Sequence, residues 1–514
     1  MPEHEDARLP RPIVTPRRLV ALAALLGTDV AVEPAAAADV TVTGVSLDSR
    51  QLLPGDLYVA LPGSHAHGAD FCQAVATGGA AAVLTDPAGR DRGLAAGLPT
   101  LVVADPRARV GAVAAWLYGR PADQLLLVGV TGTNGKTTVS YLVESGLRAA
   151  GHVTGLLGTV QTRVAGQVMA SERTTPEAPD VQALLALMVE RGATAAAMEV
   201  SSHALALGRV DAICFDVAVF TNLTQDHLDF HPTFEEYYRA KASLFTPRRA
   251  RLGVVNIDDE YGRRLASEAA IPVTTFSAEG AQAHWHADDV RLGRSGSSFR
   301  VVGPAGERAP ARVQLPGRFN VSNALAAVVA LHCAGVPLHA AVAGVGDLAG
   351  VPGRMEPVDA GQQFLALVDY AHTPDAVATL LAAVRSLVSG KVIVVLGCGG
   401  DRDRLKRPLM GAAAVSGSDL ALLTSDNPRS EDPAEILSVM ATGAESVTAA
   451  PGRWKVEPDR RLAIAAAVAA AGAGDAVVVA GKGHELGQSI AGSVLPFDDR
   501  AELRAAIEHL AVVS

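Results

Sequence analysis

Apolar runs of strand length alternate with helical periodicities along most of this chain, and polar or glycine-rich breaks separate them. Residues 1–16 are proline-rich and charged and are expected to form a disordered leader. Leu19, Leu22 and Leu26 then fall on one face of a helix. From Val40 the pattern gives two short strands around a turn, with Leu47-Asp48-Ser49-Arg50 at the bend and Pro54-Gly55 setting the next one. Leu101 to Ala104 reads as the last strand of a small α/β unit, which Pro121 closes. Leu125 to Val130 is an unbroken buried-strand run. It switches at Thr131 to Gly135 into small and polar residues, and a helix is expected near Lys136. Strand and helix alternate from there to about 350, which predicts a mostly parallel sheet covered on both faces. Two prolines and two glycines in Gly350 to Pro357 mark a hinge. Beyond it the alternation restarts with strands at 364–369, 391–396, 420–424 and 476–480 and a helix from Pro374. The expected fold class is α/β in three domains, at 17–122, 123–350 and 351–514.

Composition narrows the function classes. A chain of 514 residues, 49% hydrophobic and 19% charged, is globular, with room for two to four domains of about 100 to 200 residues. A formal net charge of -10 without a basic stripe argues against nucleic acid, so anionic ligands must be met by local sites. Cys72, Cys214, Cys333 and Cys398 lie far apart and suggest neither a zinc knuckle nor a disulfide framework, which fits a reducing cytoplasm. Arg17-Arg18 before Leu19 to Leu26 superficially resembles a secretion signal, but Glu3, Glu5 and Asp6 spoil its basic start. No stretch is long and apolar enough to span a bilayer. A cytoplasmic monomer is expected.

The stretch from Leu125 to Thr138 carries the sharpest chemistry. Gly132-Thr133-Asn134-Gly135 between a strand and a helix places backbone N–H groups and a helix N-terminus around one point, where an anion is stabilised. Lys136 would touch the outer phosphates of a nucleotide and the Thr137 hydroxyl would hold Mg2+. The first glycine of the general phosphate-loop pattern is replaced by Val130. Thr174-Thr175-Pro176 reads equally well as a helix N-cap or as a ligand contact. Glu199 ends an apolar strand from Thr194, where a carboxylate needs a cation or donors; a structural ion pair is the alternative to a metal. Asp226, His227, Asp229 and His231 crowd together after another strand. That spacing suits zinc, but no cysteine supports zinc, and Mg2+ with ATP suits the oxygen donors better. Lys241 lies near the end of an amphipathic helix, where a solvated lysine complementing the dipole is the default. Asn320 and Asn323 open an alanine-rich helix as capping residues would. In the last domain, polar clusters follow each strand at one sheet edge: Asp369 to His372, Gly397 to Arg404, Asp426 to Arg429 and Gly481 to Glu485. Arg402 and Arg429 supply planar forks for a carboxylate, while Asp426, Asn427 and Glu485 supply acceptors for an ammonium; Pro428 biases Asn427 toward extended backbone.

The string TGTNGKTT resembles the variant phosphate loop of Mur ligases and folylpolyglutamate synthetases, which form amide bonds while converting ATP to ADP. LDSR, MEVSSH, DHLDFH, DYAHTPDA, GCGGDRD, DNPR and GKGHE extend the resemblance to Mur ligases over nearly the whole chain after the leader. It implies ATP contacts from Gly132, Thr133, Asn134, Gly135, Lys136, Thr137, Thr138, Asn320, Arg354 and Asp369. It implies contacts to a UDP-N-acetylmuramoyl dipeptide from Leu47, Ser49, Ser64, His65, Ala66, Thr174, Thr175, Ser201 and Arg209. Two Mg2+ ions would be held by Thr137, Glu199, His227 and Lys241, the last as a carbamate formed with CO2. Lys136, Glu199, His227 and Lys241 would be the catalytic set. DNPR resembles the diaminopimelate-recognition motif, which implies that Arg402, Asp426, Asn427, Pro428, Arg429, Gly481 and Glu485 bind diaminopimelate. Leu207 is a departure, standing where many relatives place a glutamine near the dipeptide. The implied activity is ATP-dependent ligation of diaminopimelate to UDP-N-acetylmuramoyl-L-alanyl-D-glutamate in peptidoglycan precursor synthesis. The competing readings are a folylpolyglutamate synthetase-like ligase, which leaves LDSR and DNPR without a role, and an inactive nucleotide-binding regulator.

Overall fold

A computed structural model of the chain describes residues 10–31, 39–63, 65–169, 171, 173–447 and 453–513. It contains three α/β domains, each built on its own sheet with its own apolar core.

The N-terminal sheet runs in the order 30–31, 100–102, 82–85, 56–60, 44–46. Gly44–Ser46 and Asp56–Ala60, expected as neighbours around a turn, do pair, but in parallel. Every position of Asp56–Ala60 is buried, so this strand needs a neighbour on each edge and cover on both faces; segment 47–55 returns the chain to make that possible. Residues 1–9 of the expected leader lie outside the described residues. Residues 10–16 depart from the expectation of disorder because a buried carboxylate holds them: Arg11 Nη1 donates to Asp56 Oδ1 at 2.6 Å, and the Ile13 N–H donates to Glu190.

In the central sheet the order is 167–169, 162–164, 154–157, 195–199, 126–131, 215–220, 250–256, 273–277, 285–293, 296–302, 308–313. Its middle is parallel and antiparallel hairpins finish both edges. Glu199 lies opposite Val130, and Phe220 opposite Thr131. Three loops therefore leave the sheet side by side at the carboxyl ends of their strands. Helix Lys136–Ala149 packs beneath helix Arg318–Cys333, whose Asn323 to Leu331 stretch is buried throughout. Asn320 and Asn323 do not cap that helix. Gly317, at φ 93°, begins it, so both asparagines sit inside the first turns, where Asn320 Nδ2 donates to the Pro316 carbonyl and Asn323 Nδ2 to Asn320 Oδ1.

The C-terminal sheet runs 356–357, 365–369, 476–480, 392–396, 420–423, 454–456, parallel except at its first strand. Asp369, Ala480, Leu396 and Leu423 stand in register, so the polar loops that follow them share one edge. Beneath this edge Arg460 and Asp499 form a bidentate pair, both oxygens at 2.7 Å, with neither side chain exposed. Arg460 Nη2 also donates to the Ala480 carbonyl at 2.9 Å, tying the pair to the end of a central strand. Breaking a buried pair leaves an uncompensated charge, so Asp499→Ala is expected to cost about 3–5 kcal/mol. Hydrogen exchange should then quicken in Leu420–Leu423 and Ala476–Ala480; unchanged protection there would contradict a structural role for the pair.

Candidate active site

The loop after Leu126–Thr131 is held open from one side. Thr221 Oγ1 donates to the Asn134 carbonyl at 2.6 Å, the Thr133 N–H donates to the Asn222 carbonyl, and the Asn134 N–H donates to Asn222 Oδ1 at 2.9 Å. Thr133 Oγ1 meets the Tyr237 hydroxyl at 2.9 Å. Gly132 stands at φ 146°, where a side chain would collide with the Thr221 hydroxyl, and Gly135 at φ 87°, where one would strike Asn323. No side chain caps the helix beginning at Lys136, so its first N–H groups remain available to an anion.

Charged groups gather around this loop. Lys136 Nζ donates to the carbonyls of Gly132 and Thr133 at 3.0 and 2.8 Å, and Lys241 Nζ donates to the same Gly132 carbonyl at 2.7 Å. Lys241 is 1% exposed, unlike the solvated helix lysine that its position suggested, because the helix Phe234–Ala242 turns it inward against Tyr237. Burial lowers the affinity of both amines for protons, that of Lys241 well below the usual range, and the nearby Lys136 charge lowers that of Lys241 further.

Glu199 is buried under the helix N-terminus. Thr137 Oγ1 donates to its Oε2 at 3.1 Å, the Thr159 N–H to its Oε1 at 2.8 Å, and Thr159 Oγ1 to its Oε2 at 3.0 Å. Arg354 reaches across from the hinge and its Nη2 donates to Thr137 Oγ1 at 2.9 Å, while its guanidinium lies over the Tyr370 ring. Asp369 accepts from the Met355 and Ala371 N–H groups, and burial raises its carboxyl pKa. His227, at φ 57°, contacts Asp226 and stacks edge-on to His203; desolvation lowers the proton affinity of both imidazoles, leaving them neutral. His231 packs on Tyr237, and desolvation brings it down to about 4.

A cavity of about 370 Å³ opens between the phosphate loop and the C-terminal domain; Lys241, His203 and His231 are not part of its lining. Thr133 to Thr138, Glu199, Asp226 and His227 line it from the central domain, and Arg354, Asp369, His372, Asp375 and Leu380 from the C-terminal side. Phe276 and Phe319 lie in its wall and give it apolar surface.

The donor set bears on Mg2+. Thr137 Oγ1 and Glu199 Oε2 are hard oxygens 3.1 Å apart, as one Mg2+ requires, and nucleotide oxygens and water would complete its shell. Among the described residues no cluster of three or more His, Cys, Asp or Glu forms a metal site by itself. Lys241 as a free amine offers no oxygen, so it suits a cation only after conversion to a carbamate.

The remaining expected residues fall into two further groups. The Thr174 and Thr159 hydroxyls meet at 3.0 Å, Thr175 Oγ1 donates to the Glu199 carbonyl, and Ser201 caps the helix Ser202–Ala206. Thr175 does not cap the helix Ala178–Glu190; Glu177 occupies that position and pairs with Arg209. Asp48, between Leu47 and Ser49, accepts from Arg50 and lies within electrostatic reach of Arg173, so the N-terminal bend approaches the Thr174 turn. His65 and Ala66 border the same domain, and Ser64 lies outside the described residues. At the C-terminal edge Arg429 Nη1 donates to the Gly400 carbonyl, Asn427 Nδ2 to Glu485 Oε2 at 2.7 Å, and Arg402 to its neighbour's carbonyl. Thr159, Asn222 and Tyr237 also belong to the assembly, although nothing local in the sequence marks them, and so does Asp375, which lies within the DYAHTPDA string.

An ATP-dependent ligase is the class of protein that this loop, buried carboxylate and domain-bridging cavity define, and the chain belongs to the Mur ligase family. Profiles of the Mur ligase family catalytic domain, the Mur ligase middle domain and the Mur ligase glutamate ligase domain match residues 41–116, 130–331 and 353–483. The UDP-N-acetylmuramoyl-L-alanyl-D-glutamate--2,6-diaminopimelate ligase of Streptomyces coelicolor is 61% identical over 469 residues, 91% of this chain and 92% of that protein. A solved structure of a ligase of the same name is 35% identical with a TM-score of 0.66, covering 94% of this chain and 97% of that one. The Mycobacterium tuberculosis folylpolyglutamate synthase, at 18% identity and a TM-score of 0.59 over 73% of this chain and 92% of that one, shares the fold.

Acid should loosen this region. Burial holds His484 and desolvation holds His231 at about 4, below their ordinary 6.5, so the unfolded chain takes up protons first. The stability due to their neutral forms is present above about pH 6.5 and is lost as pH falls toward 4. Denaturant midpoints should fall across that window and fall less in His484→Gln; equal slopes in the two proteins would contradict this.

Proposed function

We propose that this chain ligates diaminopimelate to UDP-N-acetylmuramoyl-L-alanyl-D-glutamate at the expense of ATP, as a cytoplasmic step of peptidoglycan precursor synthesis. The supporting observation is the Arg354 to Thr137 contact at 2.9 Å, which brings the first loop of the C-terminal edge, Asp369 to His372, into one cavity with the phosphate loop; the Arg429 and Glu485 loops stand beyond that cavity's lining. The intact set Lys136, Glu199, His227 and Lys241 speaks against an inactive regulator.

ATP enters with its phosphates at the N–H groups of Gly135 to Thr138 and its base toward Phe276 and Phe319. Lys136 exchanges its loop carbonyls for the outer phosphate oxygens. A D-glutamyl carboxylate oxygen attacks the γ-phosphorus, the bond to the bridging oxygen breaks, and ADP leaves an acyl phosphate. Lys136 and Arg354 stabilise the charge that develops on the transferred group. The diaminopimelate amine then attacks the acyl carbon, the carbon–oxygen bond to phosphate breaks, inorganic phosphate leaves, and the nitrogen loses its proton. Thr174, Thr175, Ser201 and Arg209, with the N-terminal residues Leu47, Ser49, His65 and Ala66, hold the nucleotide-sugar dipeptide in this scheme. Arg402 and Arg429 bind the distal carboxylate of diaminopimelate, and Asp426 and Glu485 its ammonium.

Thr137 and Glu199 would hold Mg2+, which would supply positive charge to the phosphate oxygens. Lys241 has the buried, proton-poor amine that carbamate formation needs, and its carbamate with His227 would furnish a second site.

Lys136→Ala should abolish substrate-dependent ADP release, and retained turnover would contradict the scheme. Arg429→Ala should raise the KM for diaminopimelate and narrow its preference over L-lysine; an unchanged preference would remove the specificity assignment. Labelled bicarbonate should give a carbamate signal by NMR that Lys241→Ala lacks. A signal surviving that substitution would place the modification elsewhere.

A further inference from the structure

Lys482 has no solvent exposure and stands at the centre of the C-terminal edge. Its Nζ donates to Asn427 Oδ1 at 3.1 Å, to Glu485 Oε2 at 2.8 Å and to the Gly487 carbonyl at 2.7 Å. Three donors thus meet three acceptors, two on the stretch that follows Lys482 and one on the distant Asn427 loop. Asn427 Oδ1 also accepts from the Ser489 N–H, and its Nδ2 donates to Glu485 Oε2. The amide has one satisfied orientation, oxygen toward Lys482 and nitrogen toward Glu485. Swapping the ends would set the NH2 group against an ammonium.

The consequence falls on Glu485. Its Oε2 takes two donors, while its Oε1 takes none from the described residues, and the side chain is 32% exposed. One carboxylate oxygen is committed to the protein and the other is presented to the site. The hairpin Gly487–Ile490 and Ser493–Pro496 is fastened to the same segment, since the Arg429 N–H donates to the Ser489 carbonyl and the Ala491 N–H to that of Arg429. Arg429, held at φ 54°, keeps its guanidinium beside Gly400.

We infer that Lys482 is the positioning residue of the amino-acid site: it orients the Asn427 amide and presents a single oxygen of Glu485 to the ammonium of the substrate's distal zwitterion. This rests on the reading of the edge as the diaminopimelate site. It adds a source of selectivity. The Lys482 and Glu485 charges cancel at close range, so an ammonium alone is weakly attracted and the carboxylate gripped by Arg429 becomes necessary for tight binding. A substrate such as L-lysine, with an ammonium and no distal carboxylate, is disfavoured accordingly.

The test is Lys482→Met in the full chain. The KM for diaminopimelate should rise about tenfold or more, as loss of one partner of a buried hydrogen-bonded charge pair implies, with the KM for ATP and for the nucleotide-sugar dipeptide changing less than about twofold. The kcat/KM preference for diaminopimelate over L-lysine should narrow, because the freed Glu485 charge attracts either ammonium. Glu485→Gln should raise the KM less in the Lys482→Met background than in the parent, since one residue acts through the other. An unmoved diaminopimelate KM, three KM values rising together, an unchanged preference, or additive effects would each overturn the inference. Should the Met variant lose its thermal transition, Lys482→Gln, which keeps a donor, carries the same readouts. A parent enzyme that fails to use diaminopimelate overturns the substrate reading instead; the same KM comparison, made with the amino acid it does use, then decides the role of Lys482.

Discussion

A carboxylate that cannot reach water organises this molecule. Glu199 ends a strand buried at every position, and its desolvation would cost several kcal/mol if its oxygens were left without donors. Thr137 and Thr159 supply those donors, and each brings a segment with it. Thr137 fixes the first turn of the helix behind the phosphate loop. Thr159 fixes the loop leaving the adjacent strand, where Gly158 is required because a side chain there would collide with Glu199 itself. Hydrogen-bond donors satisfy the oxygens without cancelling the charge, so the site retains a demand for a cation that Mg2+ meets.

Domain arrangement follows from the same point. Arg354 bonds Thr137 from the hinge, and Asn134 in the loop donates to Asp375 at the start of the helix Pro374–Leu387. At the far end of that helix Arg294, from a hairpin of the central sheet, donates to the Leu387 carbonyl at 2.8 Å. The helix is therefore held at both ends along the cavity wall, and the C-terminal edge is positioned by contacts that belong to the nucleotide site. Assembly of the site and exclusion of water from a reactive acyl phosphate become one event.

Features written in contiguous residues could be read from the sequence. The phosphate loop is a strand, a glycine turn and a Gly-Lys-Thr run in fourteen residues, and Glu199 is a charged residue ending an apolar strand. The shared edge of the C-terminal sheet was legible because parallel strands put their following loops at one end. Residues whose role arises from strand register were not legible. Thr159 looks like any polar residue after a strand until that strand lies next to Ala195–Glu199, and Lys482 looks like a surface lysine until Gly487 folds back over it. Asn320 and Asn323 have capping chemistry, but Gly317 starts their helix and leaves them as donors within it. Arg11 sits in a proline-rich segment whose composition suggests disorder, which a single buried aspartate 45 residues away overrides.

In this scheme a substrate carboxyl group is made reactive by phosphoryl transfer at the Glu199 clamp before an amino acid captures it. Following heavy oxygen from the labelled D-glutamyl carboxylate is the most direct test. One label per turnover should leave in the inorganic phosphate, because the attacking oxygen stays with phosphorus when the amide forms. Phosphate free of label, with turnover intact, would contradict it.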